Sequence, residues 1–153
     1  LIIIGFGLII MGVVLFIADT YSKENKSLEK ITLKDAILIG VMQTFALIPG
    51  FSRSGTTIST ARILKINRED ATKFSFFLSI PVIAGGALLK LLKHFKEVIN
   101  HLSIFSIGTI TSFIVGVLTI KFLLKYLKKN DFSLFMIWRI LLGLFIIFFV
   151  IFK

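Results

Sequence analysis

Residues 1–17 carry no charge, a polar and charged stretch follows to Asp35, and three further apolar runs occupy residues 72–92, 103–125 and 134–152. An apolar run of about 20 residues matches a hydrocarbon core about 30 Å thick at about 1.5 Å rise per residue, so these four segments read as transmembrane helices. Residues 36–66 break the pattern. The apolar stretch 36–48 yields only about 20 Å of helix, too short to cross, and Pro49-Gly50 ends it. A second short helix over 56–65 then leads to the charged turn 65–70. Two half-length helices around a Gly/Ser-rich tip predict a re-entrant hairpin, and irregular backbone at membrane depth requires burial in protein or a wet cavity. The expected fold is an all-α polytopic membrane protein, a single membrane domain of four transmembrane helices plus one re-entrant helical hairpin, with 18–35 as a cytoplasmic loop.

Small residues mark the expected helix contacts. Gly5 and Gly12 lie two turns apart on one face; Ser75, Ser79, Val82 and Gly86 share another, and Thr109, Ser112, Gly116 and Thr119 a third. Such stripes read as close helix packing ahead of direct substrate contact. Thr32 or Asp35 caps the helix beginning near residue 36. Pro81 frees the Phe77 carbonyl within its helix.

Composition fixes the class. Hydrophobic residues make up 56% of the chain, 17 residues are Phe, and the mean hydropathy is +0.97, more apolar surface than a soluble domain of this length can cover. The net charge of +10 sits in short clusters between apolar runs, where it suits loops over an anionic leaflet and gives no groove for nucleic acid. Ten bases (Lys23, Lys26, Lys30, Lys34, Lys65, Arg68, Lys73, Lys125, Lys128, Lys129) lie on the side reached after the first span, against four (Lys90, Lys93, Lys96, Lys153) opposite. The richer side is therefore cytoplasmic, and the hairpin enters from it. The chain has no cysteine, which excludes disulfides and thiolate metal sites. It opens inside an apolar run without Met, so an N-terminal part is expected upstream.

Arg53 carries the chemistry. A guanidinium within hydrophobic sequence costs about 2.5–3.5 kcal/mol at a helix centre unless it meets a cavity or a partner. Its donor fork matches phosphate oxygens. Gly50 and Gly55 allow close backbone approach and positive φ, so that amides form an anion nest. Thr56 and Thr57 open the second half-helix, whose positive end points at the same spot, and Ser52 and Ser54 add hydroxyls. An intramembrane phosphate or diphosphate site accounts for all of these; Gln43 either orients ligand or stitches two helices. Arg62 is expected to snorkel to the cytoplasmic side, Arg139 beside Trp138 to anchor at the interface ahead of a second phosphate contact, and His94 and His101 to be solvated loop residues.

The stretch Gln43-x-x-Ala46-x-x-Pro49-Gly50-x-Ser52-Arg53-Ser54-Gly55-x-Thr57 resembles the undecaprenyl-diphosphate phosphatase (bacitracin-resistance protein) family. So do Ala71-Thr72-x-Phe74-Ser75-Phe76-x-Leu78-x-Ile80-Pro81 and Arg139-Ile140-x-Leu142-Gly143. The resemblance implies a multi-pass enzyme of the bacterial plasma (inner) membrane. It would remove the terminal phosphate of a C55 polyprenyl diphosphate, recycle the carrier for cell-wall synthesis and confer bacitracin resistance. It also implies an inverted-repeat fold of which this is one half, and a divalent cation (Mg²⁺ or Ca²⁺). On it, Arg53, Ser52 and Ser54 are catalytic, Gly50, Gly55, Thr56, Thr57 and Gln43 bind substrate, and walls including Phe74 and Phe77 take the prenyl chain. No residue here is a metal ligand. The family's glutamate-rich stretch and its Pro-x-Ser-Ser-x-Gly-His-like tip have no match in this chain. The general acid/base and metal carboxylates are thus expected in the upstream half, and the eight acidic residues present fall in loops or at their edges. A homodimer is compatible with these spans. Transport of an anionic lipid or ion suits broken helices equally well, and a degenerate scaffold is a weaker third reading.

Overall fold

The computed structural model describes residues 1–23 and 26–152. Glu24 and Asn25 of the expected loop, and Lys153 among the bases of the opposite side, lie outside the described residues. The elements are α1 (Ile2–Tyr21), a 3-10 turn (Leu28–Lys30), α2 (Leu33–Met42) continued by a 3-10 segment (Gln43–Leu47), α3 (Arg53–Ile63), α4 (Arg68–Lys93), α5 (Phe95–Asn100), α6 (Leu102–Leu127) and α7 (Ser133–Ile151). The fold is all-helical, and α1, α4, α6 and α7 are long and apolar enough to cross a membrane.

α2 begins in a capping box: the Thr32 hydroxyl accepts from Asp35 N (3.3 Å) while Asp35 Oδ2 accepts from Thr32 N (2.7 Å). Both expected caps therefore act together. Lys26 Nζ also donates to Asp35 Oδ2. The ammonium and the Thr32 groups bring the Asp35 carboxyl down from the ordinary 3.8 to about 2. Because the folded value is depressed, its stabilisation is complete above the unfolded value and is lost as pH falls from near 4 through about 2. Thermal melts in detergent are expected to show Thr32→Ala costing about 0.5–2 kcal/mol and Asp35→Asn losing this part of the acid sensitivity. A wild-type acid response in Asp35→Asn contradicts the assignment.

The helical path breaks between residues 48 and 52. Ile48 is extended, Gly50 takes φ +91°, and Ser52 caps α3. The chain then folds back, so that Ile39 of α2 joins Ile58 and Ala61 of α3 in one buried cluster with Leu15, Ile66, Ala71, Leu127 and Phe132. α1 and α7 meet through glycine: a Cβ on Gly5 would lie 2.9 Å from Gly143 O, and one on Gly143 2.7 Å from Gly5 O. The two-turn spacing of Gly5 and Gly12 is this seam, with Gly12 against Met136 and Arg139.

Three expectations need correction. First, α1 does not end at residue 17 but continues to Tyr21, because Asp19 is buried and paired at its C-terminal end. Second, Arg62 does not snorkel. It is 0% exposed and donates from Nε to Asp19 Oδ1 (2.8 Å), from Nη1 to Ile66 O (2.7 Å) and from Nη2 to Asp19 O (3.2 Å) and Ser22 O (3.4 Å). Arg68 Nε (2.9 Å to Oδ1) and Phe132 N (3.3 Å to Oδ2) also donate to Asp19. Third, the small-residue stripe of α6 meets nothing among the described residues. Thr109, Ser112 and Thr119 are exposed, and the space beside Gly108 and Gly116 is open. On α4 only the first half of the stripe packs: Ser75 and Ser79 are buried, while Gly85 and Gly86 face open space.

Candidate functional site

The tip rests on backbone. A Cβ on Gly7 of α1 would lie 2.6 Å from Pro49 O, and one on Gly50 would collide with the Ile4 carbonyl and lie 2.9 Å from Ile4 Cα. No side chain fits between these two strands of main chain. Measured along α1, Ile4 and Gly7 lie 12 to 15 residues from Asp19, about 18–22 Å at 1.5 Å per residue.

α3 starts three residues earlier than expected. Ser52 is its N-cap, its Oγ accepting from Gly55 N (3.1 Å) and lying 3.1 Å from Ser54 Oγ. Arg53 and Ser54 therefore stand in the first turn, where the positive end of the helix favours an anion. Thr56 and Thr57 do not open the helix. Thr56 Oγ1 donates to Ser52 O (2.9 Å), and Thr57 Oγ1 to Arg53 O (3.0 Å), with Ser75 Oγ of α4 2.6 Å away. Both are buried, so their hydroxyls serve α3 and its contact with α4.

Ser52, Ser54, Gly55 and Arg139 line one cavity of about 270 Å³, walled by apolar side chains including Leu15, Ile58, Phe76, Phe135 and Trp138. Phe76 faces this space; Phe74 packs against the core cluster and Phe77 is 57% exposed. Arg139 is no interface anchor. Its Nη2 donates to Gly50 O (3.2 Å), its Nη1 lies 3.4 Å from the Cβ position of Gly55, and its Nε is buried without a hydrogen-bond partner among the described residues. Arg53 stands on the α4 side, half-buried, with Nη1 3.5 Å from Ser79 O as its one hydrogen bond among the described residues. Gln43 Oε1, in the 3-10 segment, is buried without a partner among the described residues and does not line the cavity. The site thus holds two guanidinium groups around the start of α3, one on the cavity and one toward α4. His94 and His101 are exposed, and His94 Nδ1 lies 3.1 Å from Glu97.

The donor set suits an anion. Two arginines, hydroxyls and a helix N-terminus surround the tip, with no carboxylate among the cavity-lining residues. No group of three or more acidic, His or Cys side chains able to hold a metal occurs among the described residues.

Residues 1–145 match the family described as bacitracin resistance protein BacA. The chain belongs to that family. Similar BacA-family relatives are the undecaprenyl-diphosphatases of Desulforudis audaxviator, 46% identical over 145 residues, and of Pelotomaculum thermopropionicum, 43% identical over 145 residues; each match covers 95% of this chain. That of Lactobacillus delbrueckii subsp. bulgaricus is 44% identical over 150 residues and 93% of the chain. These matches cover 55%, 54% and 54% of the relatives, so the chain spans about half their length. Family membership and four apolar helices together make it part of a multi-pass membrane protein.

Within this BacA-family chain the sequence missed Arg139 as a site residue, although it stands in the Arg139-Ile140-x-Leu142-Gly143 match. The adjacent Trp138 suggested an interface. The available signal was an arginine seven residues into an otherwise uncharged apolar helix, the same argument that singled out Arg53.

Proposed function

We propose that this chain is the diphosphate-holding half of a membrane phosphatase that converts undecaprenyl diphosphate to undecaprenyl phosphate and inorganic phosphate. The observation that carries this is the convergence of Arg139, Ser52, Ser54 and the first turn of α3 on one apolar-walled cavity, with Arg53 on the other flank. The names of the relatives support the substrate. Arg139 and Arg53 grip the phosphoryl oxygens and stabilise the charge that shifts as the bridging P–O bond breaks. Ser52 and Ser54 orient the remaining oxygens, Gly55 keeps space beside Arg139, and the Gly50 carbonyl holds Arg139 in place. The prenyl chain lies along Phe76, Phe135 and their neighbours.

The broken pair α2–α3 is a re-entrant hairpin in this reading. The bases at the Asp19 end of the bundle face the cytoplasm of a bacterium, and the tip stands beyond the midplane, since about 18–22 Å exceeds half of a core about 30 Å thick. The tip residues do not fit a divalent cation, because two guanidinium groups repel it and no carboxylate lines the cavity. On this reading any Mg²⁺ or Ca²⁺ takes its protein ligands, and the reaction its general acid and base, from outside these tip residues. The biological role is recycling of the lipid carrier for cell-wall synthesis, with resistance to bacitracin.

The test is phosphate release from C55 polyprenyl diphosphate by the full-length protein in detergent micelles, where no gradient exists. Release at catalytic rates is expected. Movement of the lipid across vesicles without hydrolysis would establish transport instead.

A further inference from the structure

The two arginines of the site sit on helices that are both fixed, at the opposite end of the bundle, to one carboxylate. Arg62 is nine residues beyond Arg53 on α3, about 14 Å along the helix, and Phe132 caps α7 seven residues before Arg139, about 10 Å. Arg62 Nε and Phe132 N both donate to Asp19, to Oδ1 and Oδ2 respectively.

We propose that Asp19 is a positioning residue, the shared reference point that holds α3 and α7 in axial register so that Arg53, Ser52 and Arg139 meet one phosphate group. Most buried residues of α3 are small or short (Gly55, Thr56, Thr57, Ser59, Thr60, Ala61), with Ile58 the large apolar side chain among them, so few ridges lock it into a neighbour's grooves. Arg62 supplies a further restraint. Its planar fork reaches Asp19 Oδ1, the carbonyls of Asp19 and Ser22 at the end of α1, and Ile66 O, while Ser22 Oγ donates back to Arg62 O. The bonds to Asp19 and Ser22 tie α3 to the end of α1, so a slide of α3 by a fraction of a turn costs several of them. Two charges with 0% and 4% side-chain exposure gain little net stability against a hydrophobic replacement, and fixing register is the best-attested use of such pairs. Arg68, also on Asp19 and 32% exposed, ties the start of α4 to the same point.

The proposal rests on the phosphatase reading for its activity consequence, and its geometric consequence stands apart. Asp19→Asn keeps the shape but strands the buried Arg62 charge, so Asp19→Asn/Arg62→Met in the full-length protein is the decisive variant. It is expected to melt within a few degrees of wild type, yet to show at least a tenfold loss in kcat/KM for C55 polyprenyl diphosphate, chiefly through a raised KM. This chain has no cysteine, so spin labels at Ile63→Cys on α3 and Leu144→Cys on α7, both exposed, report the register directly, in a background freed of any cysteine elsewhere. The distance distribution is expected to shift or broaden in the double variant. An unchanged distribution, or unchanged turnover in a folded variant, overturns the proposal. If the wild type releases no phosphate, the phosphatase reading falls and the label distances alone decide this one.

Discussion

Alanine in place of Arg139 is expected to lower kcat/KM for a polyprenyl diphosphate by about 10²–10³-fold, the usual loss when a preorganised donor to a developing oxyanion is removed. Its Nε is buried with no partner among the described residues and its Nη2 is bound to Gly50 O. The group is therefore already desolvated and aimed, and an incoming phosphate gains a charge-assisted bond without reorganising the site. Arg139→Lys is expected to recover little, because an ammonium cannot satisfy the Gly50 carbonyl and fork onto a phosphate together. Arg53→Ala is expected to lose activity on the same scale, with its contact to Ser79 O too long, at 3.5 Å, to account for the residue by structure alone. Near-wild-type phosphate release from either alanine variant removes that arginine from the mechanism.

Gly50→Ala is expected to destabilise the folded protein by about 2–5 kcal/mol, combining a left-handed backbone (about 1–2 kcal/mol) with overpacking (about 1–3 kcal/mol). At φ +91° a methyl group would meet the main chain of Ile4, and backbone cannot rotate away as a side-chain tip can. Relief requires α1 to retreat from the tip, which also moves the Gly50 carbonyl that holds Arg139. Phosphate release should fall with stability. Gly40→Ala is the control: nothing lies within 4 Å of its Cβ position, and alanine favours the helix interior by about 1 kcal/mol. Equal melting of the two variants would show that the tip is not seated on α1.

The break in the helix was legible because proline and glycine interrupt an apolar run too short to cross, and the four long helices because their apolar stretches are long. The ends of elements were less so. α3 begins at Arg53 because Ser52 caps it, whereas the hydroxyls of Thr56 and Thr57, which read as the helix opening, turn back onto their own helix. The Asp19 hub was invisible for a different reason. Its partners Arg62, Arg68 and Phe132 are 43, 49 and 113 residues away, and a carboxylate at the edge of an apolar run reads as the start of a loop. Arg62 was misjudged with it, since only a buried partner turns a snorkelling cation inward. The open flank of α6 shows a limit of another kind: a packing stripe can be read from one chain, but not what it packs against.

Because the bend is cradled by main chain where α1 lacks side chains, substitutions on the exposed faces of that helix should be silent. Leucine, isoleucine, valine or phenylalanine can trade places on its outer faces without shifting the anion cradle. One methyl group at Gly7 would press on the Pro49 oxygen. A mutational scan of α1 should therefore be nearly flat on its outer faces, with sharp intolerance where hydrogen is the only side chain and at the buried Asp19.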